Sequence, residues 1–189
     1  MVWKNLHIYV EKKSKSKFSQ YFLSIVAFIE SIFFPIPPDL ILIPIVYFNP
    51  NKFLVTALNC TIFSVIGGAF GYFIGYFIFE AVQSYFDMSK QTEFINFYND
   101  WGIFAVFLGG FTPIPYKIIA LTSGYSQFNF IYFIFFSLLS RGLRFFIIAF
   151  IIKQFGDIGM QILKRNKLLI FVLIPIGIVF LIYLLFYHD

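Results

Sequence analysis

The sequence predicts an all-α polytopic membrane protein with two inverted repeats, each a re-entrant Pro-x-Pro hairpin followed by a long transmembrane helix, and an additional C-terminal transmembrane helix. Of the 189 residues, 60% are hydrophobic and only 12% are charged, whereas about half of a soluble domain is apolar and about a quarter is charged. The apolar residues form long blocks, as expected for helices that cross a hydrocarbon core of about 30 Å. A proline motif interrupts two of these blocks at matched positions.

The proline motif predicts where the helices break. Its first copy covers residues 34–39 (FPIPPD), its second covers residues 111–117 (FTPIPYK), and equivalent prolines lie 78 residues apart. Pro-x-Pro cannot continue a helix, because proline lacks an N–H and disfavours the helical region for the preceding residue. In hydrocarbon, a broken backbone is tolerated only where protein or a water-filled cavity surrounds it. We therefore expect two hairpin tips that meet at mid-membrane, formed by Pro35, Pro37, Pro38, Pro113 and Pro115.

The chain divides into a basic N-terminal segment, a membrane domain over residues 18–157 and a C-terminal part over residues 158–189. Residues 1–17 are predicted to form an amphipathic segment at the membrane interface, or a disordered basic tail that only fixes orientation. The segments expected after it are a re-entrant unit at 18–48, a transmembrane helix at 53–82, a polar loop at 83–100, a second re-entrant unit at 101–125, a transmembrane helix at 128–152, a basic loop, and a transmembrane helix at 168–187.

The length of one arm favours re-entrant hairpins over single crossings. From Pro38 to Phe48 there are 11 residues, whereas about 20 are needed to cross a bilayer. A topology in which each broken unit crosses once stays open, because it leaves both basic clusters on the same side. Those clusters, in residues 1–17 and 153–167, predict a cytoplasmic N-terminus. No nucleic-acid-binding motif accompanies them, so nucleic acid is not an expected partner.

Three glycines spaced four residues apart lie in the predicted helix 53–82, at Gly67, Gly71 and Gly75. Such a face lets helix backbones approach closely. We favour close helix packing here over a groove for substrate.

Five ionisable residues lie inside apolar segments: Glu30, Asp39, Lys117, Arg141 and Arg144. Each unpaired charge at the bilayer centre costs at least ~2.5–3.5 kcal/mol, so we expect them to share a polar site, with Asp39 opposite Lys117. Arg141 and Arg144 are three residues apart and therefore share one helix face. Their planar guanidinium groups suit phosphate or carboxylate. Alternatively, these groups form buried salt bridges that join the hairpins to the long helices and bind no ligand.

Metal, cofactor and enzyme chemistry lack candidate residues in this sequence. No His/Cys/Asp/Glu cluster has the spacing of a metal site, and neither H-E-x-x-H nor Gly-x-Ser-x-Gly occurs. Cys60 is the only cysteine, so no intrachain disulfide is possible. We expect a protein that is not an enzyme.

Four motifs in order resemble the DedA family of bacterial membrane proteins, whose domain is also called VTT or SNARE-associated. They are FIE before the first proline motif, the paired and spaced glycines of residues 67–75, GFTPIPYK at 110–117 and SRGLRFF at 140–146. The second proline motif is most similar to the YqaA branch. The resemblance covers about residues 20–157.

The resemblance implies two re-entrant hairpins in the bacterial inner membrane and a function in moving lipids between leaflets. Implied substrates are undecaprenyl phosphate or a phospholipid, with coupling to protons or sodium. Glu30 and Asp39 match the family's acids, whereas Gly110 and Lys117 stand where arginines are common. We expect the three basic groups of the site to hold an anionic headgroup while the two acids exchange a proton. The alternative is a non-transporting scaffold or assembly factor, and a homo-oligomer stays open.

Overall fold

The computed structural model describes residues 14, 16, 18–33, 37–82, 88–112 and 115–165. Within these ranges the chain contains no strand, which confirms the predicted all-α class. A short 3-10 turn at Pro50–Lys52 accompanies six helices: α1 Phe18–Ile32, α2 Asp39–Phe48, α3 Phe53–Val82, α4 Met88–Phe111, α5 Tyr116–Tyr125 and α6 Phe130–Arg165. The predicted C-terminal helix 168–187, nearly all of segment 1–17, and the tip prolines Pro35 and Pro113 lie outside the described residues.

The helices break at both proline motifs. Helix α2 begins at Asp39, directly after Pro38, and α5 begins at Tyr116, directly after Pro115. Proline suits the residue before a helix because a helix start needs no N–H donor there. The motif therefore ends one helix of each pair and starts the next.

Helices α1 and α2 form a hairpin beside the first half of α3. Helix α1 runs parallel to α3, since Gln20 Nε2 donates to Thr56 Oγ1 at 2.8 Å near its start and Ser31 Oγ lies 2.7 Å from Ser64 Oγ near its end. Helix α2 then returns, and Asn49 Nδ2 donates to the carbonyl oxygen of Ser14 at 3.2 Å. The two ends of this hairpin therefore lie together at the start of α3, and its tip lies near the middle of α3.

Helices α4 and α5 form a second hairpin, which opens at the other end of α3. Helix α5 runs parallel to α3, because Tyr116 lies against Gly68 and the ring centroids of Tyr125 and Phe79 are 5.5 Å apart. Helix α4 runs in the opposite direction, and its Tyr98 hydroxyl lies 2.8 Å from Ser123 Oγ of α5. The tips of the two hairpins thus approach each other beside the middle of α3.

Helix α6 runs antiparallel to α3. Near its start the rings of Phe130 and Tyr72 lie 5.1 Å apart, and further along Lys153 Nζ lies 3.9 Å from the ring centroid of Phe53. Residues 50–81 and 130–157 make up the two described helical stretches that are long and apolar enough to cross a membrane. Helices α3 and α6 therefore form the central pair of the fold.

Two predicted boundaries are wrong. The segment 83–100, predicted as a polar loop before a unit starting at Trp101, is helical from Met88 onward. Lysine, glutamine and glutamate are good helix formers, so the polarity of this segment marks a solvated helix end. Helix α6 also continues beyond its predicted end at residue 152 as far as Arg165, through a kink at Gly156, where φ is +47°. Glycine tolerates positive φ at little steric cost.

Glycines of α3 allow its two neighbours to pack closely against it. A Cβ atom at Gly67 would overlap the carbonyl oxygen of Phe28 in α1, and one at Gly75 would overlap the carbonyl oxygen of Leu121 in α5. At Gly71 a Cβ atom would lie 3.1 Å from that of Ala120. Backbone contacts of this kind hold one arm of each hairpin on α3.

Candidate functional site

Arg141 of α6 forms a buried ion pair with Glu30 of α1. The Nη2 atom lies 2.8 Å from Oε2, and the side chains are 3% and 17% exposed. The guanidinium group also lies over the ring of Tyr116, with Cζ 4.5 Å from the ring centroid. Arg141 therefore contacts one arm of each hairpin, α1 through its charge and α5 through an aromatic face.

Arg144, one helical turn further along, contacts the other two arms. Its Nη2 atom donates to Asp39 Oδ2 at the start of α2, and its Nη1 atom donates to the carbonyl oxygen of Thr112, just after α4, at 2.9 Å. Because residues three apart on a helix are neighbours on its surface, α6 presents both guanidinium groups side by side. Between them the two arginines touch all four hairpin arms.

Only one of the two oxygen atoms of the Asp39 carboxylate takes part in these contacts. Its Oδ2 atom accepts from Arg144, whereas Oδ1 is buried and has no hydrogen-bond partner among the described residues. An unsatisfied buried polar group costs about 1–3 kcal/mol. The Oδ1 atom can therefore accept one more hydrogen bond, for example from a water molecule.

The predicted pairing of Asp39 with Lys117 is wrong. Lys117 Nζ instead donates to the carbonyl oxygen of Phe33, at the end of α1, at 3.0 Å, and the ion pair of Asp39 is with Arg144. The reason is the packing of the hairpin arms: α2 lies along α6, whereas α5, which carries Lys117, lies along α3. Lys117 still joins the two hairpins, through a hydrogen bond to a neutral carbonyl group.

Of the five charged residues predicted for the site, the structure brings four together as two ion pairs. The fifth, Lys117 of α5, bonds to the carbonyl group of Phe33 at the end of α1. Among the prolines, Pro37 and Pro38 precede α2 and Pro115 precedes α5. The described helix ends thus put both proline motifs next to the charged residues.

Several polar residues of the site were not singled out from the sequence. Ser31 Oγ lies 2.7 Å from Ser64 Oγ and 3.4 Å from Glu30 Oε2. The Tyr116 hydroxyl lies 2.7 Å from Ser137 Oγ. Ser31 directly follows Glu30, Ser137 lies one helical turn before Arg141, and Tyr116 belongs to the second proline motif, whereas Ser64 has no charge within one helical turn.

Gly110 lies against α6. A Cβ atom at this position would overlap the Ser140 hydroxyl and would lie 3.4 Å from Arg141 Cγ. A large side chain would therefore displace α4 from α6 at the level of the ion pairs.

The comparisons with known proteins identify relatives but no described activity. An uncharacterized protein of Haemophilus influenzae is 39% identical over 140 residues, which cover 72% of this chain and 73% of the relative. A protein of Histophilus somni, described as an uncharacterized HI0703 homolog, is 38% identical over 137 residues, which cover 70% of this chain and 72% of the relative. No family model matches the chain, and no solved structure matches it.

Proposed function

We propose, from the premise that this chain belongs to the same family as the Haemophilus and Histophilus proteins, that it is a lipid transporter or scramblase of the DedA type. It would move a lipid with a phosphate-bearing headgroup, undecaprenyl phosphate or a phospholipid, between the leaflets of the bacterial inner membrane. The observation that carries the proposal is the pair of adjacent, largely buried guanidinium groups of Arg141 and Arg144. Together these two groups touch all four hairpin arms.

Helices α3 and α6 would span the membrane, and the hairpins would enter it from opposite faces. The length and apolar character of both helices support this arrangement, as does the opening of the hairpins at opposite ends of α3. Many large apolar side chains are exposed on the outer surface of the described helices. Five of them, which are 48–63% exposed, are Phe22, Phe70, Phe77, Phe135 and Phe150. Exposed apolar side chains of this size are suited to contact with lipid.

The helix order supports an inverted repeat. Helix α4 is parallel to α6, since Gly102 lies against Phe128 and Gly110 lies against Ser140, as α1 is parallel to α3. The second arm of each hairpin lies along the long helix of the other repeat. Because α3 and α6 are antiparallel, a two-fold axis relating the repeats would lie in the membrane plane, as in many secondary transporters.

The charges suggest how a headgroup would bind and leave. In the described state a carboxylate already neutralises each guanidinium group, at Glu30 and at Asp39. Protonation of one acid would release its arginine, and a phosphate, which can accept two hydrogen bonds from one guanidinium group, would take its place. Loss of the proton would restore the ion pair and displace the headgroup. Coupling to protons follows directly from this exchange, and sodium could replace the proton as a counter-ion.

Transfer of a headgroup-labelled lipid in proteoliposomes tests the proposal. We expect Arg141→Gln or Asp39→Asn to reduce the transfer rate at least tenfold, at equal amounts of monodisperse protein. Gly142→Ala is a matched control beside Arg141, because its Cβ atom would meet only Thr61 Cγ2, at 3.7 Å. Unchanged transfer in both charge variants would refute the proposal.

A non-transporting scaffold is the second candidate, and the completed ion pairs favour it. A buried pair can hold two helices in one arrangement without binding a ligand. Exchanging the partners, with Asp39→Arg and Arg144→Asp together, separates the two functions. A scaffold would regain stability and remain inactive in transfer, like the wild type. If the protein is a transporter, the wild type transfers lipid and the exchanged variant does not, because the cation would then lie on α2.

The proposed topology has its own test. Cys60 is completely buried, so single cysteines can be added at exposed positions with little background labelling. An impermeant maleimide applied to intact spheroplasts should label Glu93→Cys and should not label Asn51→Cys. The opposite pattern would show the reverse orientation in the membrane, because both ends of the first hairpin lie at the same end of α3.

A further inference from the structure

We propose that Tyr116 is a positioning residue for Arg141, whose guanidinium group it holds against the carboxylate of Glu30. This inference rests on the proposed transport function and adds a residue to its site. Tyr116 is the first residue of α5 and is 1% exposed. Its ring centroid lies 4.5 Å from Arg141 Cζ, close enough for a cation–π interaction.

The Tyr116 ring is held on three sides. Its hydroxyl group lies 2.7 Å from Ser137 Oγ. Its ring is nearly parallel to that of Phe133, with an interplanar angle of 9° and a centroid distance of 6.3 Å. On the side of α3 it lies against Gly68, where an added Cβ atom would come within 2.6 Å of Tyr116 Cε1. The ring therefore offers Arg141 a surface of fixed position.

Arg141 needs such a surface because its other contacts leave its orientation underdetermined. A guanidinium group has five N–H donors in one plane, and the ion pair with Glu30 uses the Nη2 atom. The Nε atom is buried and has no hydrogen-bond partner in the described part of the chain. The Phe145 ring adds a second aromatic contact, at 5.1 Å from Cζ. An aromatic face fixes the plane of the group, which a single ionic contact does not.

This arrangement couples the second hairpin to the acid of the first. Tyr116 directly follows Pro115, the last proline of the second motif, whereas Glu30 precedes the first motif. Ser137 and Arg141 are four residues apart on α6, so the hydroxyl group and the ring of Tyr116 contact one helix face. A displacement of the second hairpin tip would therefore change the pairing of Arg141, and with it access to the guanidinium group.

Three substitutions distinguish the contribution of the Tyr116 ring from that of its hydroxyl group. Tyr116→Phe keeps the ring and removes the hydroxyl group, and Tyr116→Leu removes the ring. Gly68→Ala removes no polar group and pushes the Tyr116 side chain, its hydroxyl group included, away from α3. Gly142→Ala again serves as the matched control on α6.

The first measurement is nuclear magnetic resonance of guanidinium ¹⁵N signals in nanodiscs. The chain has only three arginines, at 141, 144 and 165, so single Arg→Lys variants assign every signal. In the wild type and in Tyr116→Phe we expect slow rotation and resolved Nη signals for Arg141. In Tyr116→Leu and Gly68→Ala those signals should shift and merge, while the signals of Arg144 stay unchanged.

The second measurement is headgroup transfer in proteoliposomes. We expect Tyr116→Leu and Gly68→Ala to be at least tenfold slower than the wild type, and Tyr116→Phe and Gly142→Ala to lie within twofold of it. Resolved, unshifted Arg141 signals in both Tyr116→Leu and Gly68→Ala would overturn the inference, as would normal transfer in both. If Tyr116→Leu yields no folded protein, Gly68→Ala decides the question. A wild type without any transfer would refute the proposed function instead, and the Arg141 signals would still decide whether Tyr116 positions this group.

Discussion

Removing Arg144 should destabilise the protein more than an ordinary substitution does, and removing Asp39 as well should reverse most of that loss. Arg144→Met keeps an unbranched apolar side chain at the site and leaves Asp39 as a buried anion. The side chains of Arg144 and Asp39 are 12% and 3% exposed. Breaking a buried ion pair on one side costs about 3–5 kcal/mol, and this range includes the hydrogen bond that the Thr112 carbonyl loses.

The double variant Arg144→Met with Asp39→Asn contains no stranded charge. Its main remaining loss is the hydrogen bond to Thr112, which is about 1 kcal/mol. We therefore expect the second substitution to recover ~2–4 kcal/mol, the difference between the loss in the single variant and that remaining hydrogen bond.

Unfolding by sodium dodecyl sulfate in mixed micelles measures these free energies, and labelling of Cys60 provides a second readout. Cys60 is the only cysteine and is 0% exposed, so a maleimide reacts with it only when the structure opens. A loss of 3–5 kcal/mol corresponds to labelling that is roughly a hundred to several thousand times faster. Lys153→Met is the control on the same helix, because Lys153 is exposed. If the double variant is as unstable as Arg144→Met, the stranded charge of Asp39 does not cause the loss of stability.

Three further predictions concern neighbouring contacts. Glu30→Gln should cost more free energy of unfolding than Asp39→Asn in the same titration, because it strands Arg141, whose side chain is 3% exposed, whereas Asp39→Asn strands Arg144, which is 12% exposed and keeps its hydrogen bond to Thr112; a smaller or equal loss would contradict this. Gly67→Ala should cost about 1–3 kcal/mol through overpacking against Phe28, read as a lower melting temperature than that of Gly142→Ala. Tyr47→Phe removes a 2.7 Å hydrogen bond to Asp157 at the surface and should cost no more than about 1 kcal/mol, so a larger drop in melting temperature would show a structural role for that bond.

Much of the fold was predictable because it depends on short-range chemistry. Proline cannot continue a helix whatever surrounds it, so the breaks before Asp39 and Tyr116 follow from the residues themselves. The start of α4 was not predictable in the same way. Its first turns carry polar side chains that favour a solvated surface and are also good helix formers, so polarity alone did not separate a loop from a helix end.

The candidate site was predictable in its members and not in its pairing. Charges are so unfavourable in an apolar segment that Glu30, Asp39, Arg141 and Arg144 stand out in the sequence alone. Their spacing along the chain also places the two arginines on one helix face. Tyr116 belongs to the second proline motif, but nothing in the sequence indicates that its ring lies against Arg141.

The sequence by itself determined that the chain is helical, that it breaks twice at proline, and that a few charges must avoid an apolar environment. Only the tertiary structure decided that Asp39 pairs with Arg144 and that Lys117 bonds to the carbonyl group of Phe33. The physical reason is that an ion pair depends on distance and burial between residues far apart in the chain. Those quantities are set by how α2 lies along α6 and how α5 lies along α3, and glycine contacts with α3 permit the latter packing.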